Sequence, residues 1–163
     1  MHYPGPPGSE DFIMNVFCYG TLMFESIWSS IITTQYLSLP GIIRGYSRKR
    51  VQGETYPCLI QDTPSSVVPG RVYLDVECRD VKLLDAFEGE YYRRTVESCR
   101  CIDGSTVNVY VYVLRDSCRY ILDDSPWDPL WFAEEGLAPF TKKYGGFARQ
   151  AERRRHQKRT GTI

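Results

Sequence analysis

Phe12 to Tyr19 is apolar or aromatic at every position but Asn15, and the run stops at Gly20. That pattern predicts a buried strand. From Phe24 the apolar residues fall at Phe24, Ile27, Trp28, Ile31 and Ile32, a spacing of three and four that gives one face of a helix. The chain is therefore expected to open as strand, Gly-Thr turn, helix. Leu37 to Val51 is interrupted by Pro40, Gly41 and Gly45, which predicts short, bent strands, and Tyr56 to Gln61 and Val67 to Val76 predict two more. Cys78 to Glu88 carries Val81, Leu84 and Phe87 at helical spacing, with Gly89 as its left-handed stop. Tyr92 to Ile102 and Thr106 to Leu114 flank Asp103-Gly104, a hairpin-turn signal. Ser125 to Phe147 has a helical but Pro- and Gly-interrupted pattern built on Trp127, Trp131, Phe132, Leu137 and Phe140, expected to lie across the sheet as a cover.

Short strands with hairpin chemistry and two clear helices predict an α+β fold, a small mixed β-barrel of about six strands with helices at the rim. The Pro- and Gly-rich residues 1–11 are expected to be a disordered head, 12–147 the folded domain and 148–163 a basic tail.

Composition narrows the chemistry. At 163 residues the chain can bury one real core, and no apolar stretch approaches the length of a membrane span. A cytoplasmic protein is expected, with no membrane partner. Its six cysteines include no C-x-x-C pair and are expected to be small buried hydrophobes. The two histidines, His2 and His156, lie in the expected head and tail. A histidine-free domain cannot build a Ser-His-Asp triad, a Cys-His dyad or a histidine-rich metal site, so no metal ligand is assigned. Residues 149–163 carry a net charge of +5 against −5 for the rest. That tail is the one feature suggesting an RNA-associated role, and a solvated end is the preferred reading, so no nucleic-acid partner is expected.

Two segments carry candidate chemistry. Tyr19-Gly20-Thr21-Leu22 turns from a strand toward a helix, a geometry that aims backbone N–H groups at one place and suits an anionic group. A tight turn with no ligand explains Gly20 as well. Glu88 ends its helix, where the macrodipole is negative and a carboxylate is disfavoured, so shielding it from water would raise its proton affinity. A surface glutamate paired with Arg93 or Arg94 fits the residues equally.

Tyr19-Gly20-Thr21-Leu22, followed far downstream by Leu84-Asp85-Ala86-Phe87-Glu88-Gly89 and then Tyr91, Arg93 and Val96, resembles the gamma-glutamylcyclotransferase-like family, most closely its AIG2-like branch. Tyr56-Pro57 and Pro69-Gly70-Arg71-Val72-Tyr73 extend the likeness, which covers residues from about 14 to 115. The family usually carries serine where Thr21 stands. The resemblance implies release of 5-oxoproline from a gamma-glutamyl amino acid or amine, the substrate's α-amine attacking its own γ-carbonyl. It implies no cofactor. It implies Glu88 as catalytic base, Tyr19, Gly20, Thr21, Leu22, Met23 and Phe24 as the substrate loop, and Tyr91 and Arg93 in support. Tyr110 and Tyr112 are further candidates for pocket walls. An ordinary glutamate near 4.3 and an α-amine near 8 are separated by about 3.5 pH units, roughly 5 kcal/mol, which a buried Glu88 would narrow. The alternative is a non-catalytic ligand-binding or interaction domain on the same fold. The particular substrate and the oligomeric state are left open by the residues.

Overall fold

The β-strands β1 (Ile13–Cys18), β2 (Ser38–Arg44), β5 (Val67–Glu77), β6 (Tyr92–Cys101) and β7 (Thr106–Leu114) close into one ring in a computed structural model that describes residues 12–144. The order around it is β1-β5-β2-β6-β7, and β7 returns to β1. β5, at 11 residues, is long enough to pair antiparallel with β1 along one edge and β2 along the other. The β1–β7 pairing is parallel, so the ring is mixed as expected. The hairpin at Asp103-Gly104 forms, with Tyr92 opposite Leu114 and Arg94 opposite Tyr112.

The mixed α+β fold is the expected one, with eight strands among the described residues where about six were expected. Three strands, β3 (Tyr46–Val51), β4 (Pro57–Gln61) and β8 (Leu122–Pro126), form a second sheet in the order β4-β3-β8. β8 has the sequence Leu-Asp-Asp-Ser-Pro, which carries no strand pattern. Its pairing with β3 makes it a strand, an instance of tertiary contact overriding local preference.

Strand alternation divides the core in two. Phe17, Ile43, Val68, Val72, Cys99, Val109, Val111 and Val113, from all five ring strands, form one buried cluster with Tyr19, Tyr46 and Leu59. The opposite faces, among them Val16, Cys18, Tyr73 and Tyr112, pack with the helices in a second cluster. Helix α1 (Glu25–Ile31) buries Ile27, Trp28 and Ile31, and Trp28 lies flat on Tyr73 with 3.6 Å between ring centres. Helix α2 (Cys78–Glu88) buries Cys78, Val81 and Leu84.

The cover begins at Asp128, whose carboxylate accepts the Leu130 N–H at 2.9 Å as an N-cap. It runs through α3 (Pro129–Trp131) and a wide π-type turn (Phe132–Gly136), and stays helical over 137–144. Phe132 anchors it, fully buried between the rings of Phe24, Trp127 and Phe140. The expected head at 1–11 and tail at 148–163 lie outside the described residues, as do 145–147. Among the described residues no helix is long and apolar enough to cross a membrane.

Candidate active site

One end of β1 and one end of α2 meet at a single cavity of about 230 Å³. β1 ends at Cys18, and a 3-10 turn, Thr21–Met23, follows before α1. Gly20 lies so close to Pro57, at the start of β4, that a Cβ would sit 2.6 Å from the proline Cγ. The glycine therefore permits an approach no other residue allows without displacing β4. The turn's own bonds begin at Met23, whose N–H donates to the Gly20 carbonyl at 3.0 Å, with Phe24 N–H donating to Thr21 at 3.1 Å. The N–H groups of Gly20, Thr21 and Leu22 precede these bonds, and all three residues line the cavity.

Across it stands Glu88, the last residue of α2. The helix stops because Gly89 adopts φ +76, ψ −164, a conformation that disfavours every side chain, and its N–H closes onto the Asp85 carbonyl at 3.1 Å. Glu88 keeps partial exposure through the cavity, but the walls strip enough hydration to push its pKa up to about 8, and Asp85 one turn earlier adds like-charge repulsion. Neither Arg93 nor Arg94 compensates it. Arg94 pairs with Asp85 at 2.9 Å and lies over the Tyr110 ring. Arg93 lines a neighbouring surface hollow with Asp85, Gly89, Tyr92, Arg94, Tyr112 and Arg115.

Tyrosines clamp the walls. The Tyr19 hydroxyl donates to the Tyr112 carbonyl at 2.6 Å, fastening the end of β1 to β7. The Tyr92 hydroxyl donates to the Pro57 carbonyl at 2.9 Å, and that of Tyr112 to Asp85 Oδ1 at 2.7 Å. Burial, with Glu88 nearby, raises both the Cys18 thiol and the Tyr19 phenol well above their ordinary values, so both stay protonated at neutral pH. Among the cavity-lining groups with a shifted pKa, Glu88 is the one brought into the neutral range.

Of the residues singled out from sequence, Tyr19, Gly20, Thr21, Leu22, Glu88, Tyr91 and Tyr112 line the cavity. Met23, Phe24, Arg93 and Tyr110 are not among its lining. Met23 packs against the helix-side core, and Phe24 meets the Phe132 ring at a tilt, with 5.0 Å between ring centres. Sequence reasoning assigned no site role to Cys18, Tyr56, Phe87, Tyr92, Phe140 or Tyr144, which complete a largely aromatic wall. Phe140 and Tyr144 stand four apart on one helical face, a spacing visible in the sequence. Nothing in the sequence indicates that this face meets Tyr56.

The chain matches the family model described as "Gamma-glutamyl cyclotransferase, AIG2-like" over residues 16–129. It is 32% identical over 108 residues to Protein AIG2 C of Arabidopsis thaliana, covering 64% of this chain and 65% of that protein. It is 27% identical over 103 residues to AIG2-like protein C of the same plant, covering 63% and 59%. The chain thus spans 65% and 59% of the length of these two curated relatives. In fold it is similar to an Arabidopsis thaliana protein solved in solution, with TM-score 0.62, 22% identity, and 90% and 88% of the two chains covered. It is also similar to a solved gamma-glutamyl cyclotransferase, with TM-score 0.60, 13% identity, and 86% and 87% covered. At these identities the two structures speak to fold alone.

Proposed function

We infer that this chain, which belongs to the gamma-glutamyl cyclotransferase, AIG2-like family, releases 5-oxoproline from a gamma-glutamyl amino acid or amine, with Glu88 as general base. The observation that carries this reading is the single cavity shared by the Glu88 carboxyl and the Gly20–Leu22 turn. A substrate held there has its nucleophile already attached. Tethering an oriented amine to its own carbonyl is worth on the order of 7–11 kcal/mol of the barrier.

The α-ammonium has no lone pair until a base removes a proton. Glu88, at about 8, is closely matched to an α-amine near 8, so this transfer costs almost nothing, where an ordinary carboxylate would face roughly 5 kcal/mol. The freed nitrogen attacks the γ-carbonyl carbon and closes a five-membered ring. Negative charge moves onto the carbonyl oxygen, where the N–H groups of Gly20, Thr21 and Leu22 would stabilise it. The ring nitrogen gives up its second proton to solvent, the tetrahedral intermediate collapses by breaking the bond to the acceptor nitrogen, and Glu88 returns its own proton to the leaving amine. Tyr91 contributes to the wall at the mouth, and Met23 and Phe24 hold the loop from behind. Arg93 supports β6 from the neighbouring hollow. The six cysteines are unbridged, which fits a cytoplasmic, reducing setting.

The test is 5-oxoproline release from a panel of gamma-glutamyl amino acids and amines. Wild type is expected to turn over at least one member, and Glu88→Gln to lose about a hundredfold or more in kcat, within the range for a positioned general base. Equal turnover by both proteins would remove Glu88 from this role. Binding without turnover by wild type would favour a ligand-binding domain on the same fold.

A further inference from the structure

Arg48, on β3, does not line the cavity, yet its guanidinium reaches the backbone immediately before the turn. Its Nη1 donates to the Tyr19 carbonyl at 2.8 Å and to the Pro69 carbonyl at 3.2 Å. The guanidinium is held in place by the Trp127 ring, whose centre lies 5.2 Å away. Trp127 is itself buried and anchored by its Nε1–H to the Thr55 carbonyl at 2.7 Å.

A trans peptide is planar, and its C=O and the following N–H point in opposite directions. No cis peptide occurs among the described residues. Holding the Tyr19 carbonyl toward Arg48, which does not line the cavity, therefore turns the Gly20 N–H away from Arg48. A cation bonded to a carbonyl also polarises that peptide and makes its N–H a stronger donor.

We propose that Arg48 is a positioning residue that orients the Tyr19–Gly20 peptide so that the Gly20 N–H meets the oxygen of the reacting carbonyl. The role rests on the cyclotransferase reading above. It assigns a function in rate to a side chain that never touches substrate. It also links Trp127, just before the cover, to a site that Trp127 does not line. The donor is worth most where charge develops, so the effect belongs to kcat and not to KM.

The experiment compares wild type, Arg48→Met and Arg48→Lys on whichever gamma-glutamyl compound wild type turns over. Removing an oxyanion donor outright costs about 10²–10³ in rate, so misorienting one in Arg48→Met is expected to cost about tenfold or more in kcat with KM within about threefold. Arg48→Lys keeps a cationic donor for the Tyr19 carbonyl and is expected to recover most of the loss. Arg48→Met also leaves the Pro69 carbonyl without this donor and can fail to fold. An amide spectrum of wild type therefore gives a second reading, in which added 5-oxoproline moves the Gly20 proton resonance downfield. Unchanged kcat in a folded Arg48→Met, a change confined to KM, or a Gly20 amide that ignores 5-oxoproline would each overturn the proposal while leaving the activity standing. Absence of turnover by wild type would instead remove the cyclotransferase reading, and this role with it.

Discussion

Glu88 has a carboxyl pushed up to about 8 chiefly by burial and secondarily by Asp85, one helical turn away. A buried acid with a raised pKa favours the protonated folded state. Its contribution is fully present below the unfolded value near 4.3 and is lost as pH rises through 8, because over that interval the folded protein holds a proton that the unfolded chain has released. Above pH 8 wild type carries the whole cost of an ionised buried carboxylate, on the order of several kcal/mol. Glu88→Gln removes the titration. The stability of the variant relative to wild type is therefore expected to rise by several kcal/mol between pH 5 and pH 9. Urea unfolding of both proteins at the two pH values measures it, and a difference independent of pH would mean that Glu88 ionises in the fold as it does in water. The group that would serve the reaction is thus one that the fold holds at a loss, as buried functional groups commonly are.

At the scale of elements, the site depends on where a strand and a helix stop. β1 ends at Cys18, two residues before Gly20 passes close to Pro57, and α2 is stopped by the positive φ of Gly89. Leu84, fully buried, seats α2 against the core so that its last residue looks across at the turn. Gly89→Ala is expected to cost about 1–3 kcal/mol, because the φ +76, ψ −164 region is almost closed to residues with a Cβ. The last turn of α2 would relax to avoid that strain and carry Glu88 with it, so kcat should fall along with the thermal midpoint. Thermal unfolding and turnover on the same preparation check both, and a variant as stable as wild type would contradict the strain assigned to this cap.

Across the whole molecule, what the sequence could reveal follows the range of the forces involved. Helix α2 and the hairpin at Asp103-Gly104 were legible because periodicity, a glycine stop and turn chemistry all act within a few residues. The Tyr19–Leu22 turn and Glu88 were legible one at a time. That they share a cavity is a property of the ring, in which β5 and β7 flank β1 and α2 follows directly from β5. β8 was missed because Leu-Asp-Asp-Ser-Pro becomes a strand only beside β3. Arg48 was missed because an arginine in a half-polar strand carries no mark of the carbonyl it will reach. Tyr56, Phe140 and Tyr144, drawn from a loop and the covering helix, likewise meet only in three dimensions.

The proposed mechanism turns on a carboxyl that takes up and returns a proton near pH 8 inside this cavity. The pH dependence of kcat/KM reads that group in the free enzyme. For wild type the mechanism predicts an ascending limb centred near pH 8, falling about tenfold per pH unit below it, and a residual Glu88→Gln activity that rises only as the substrate's own α-amine loses its proton. A wild-type limb centred between about 4 and 5 would contradict it.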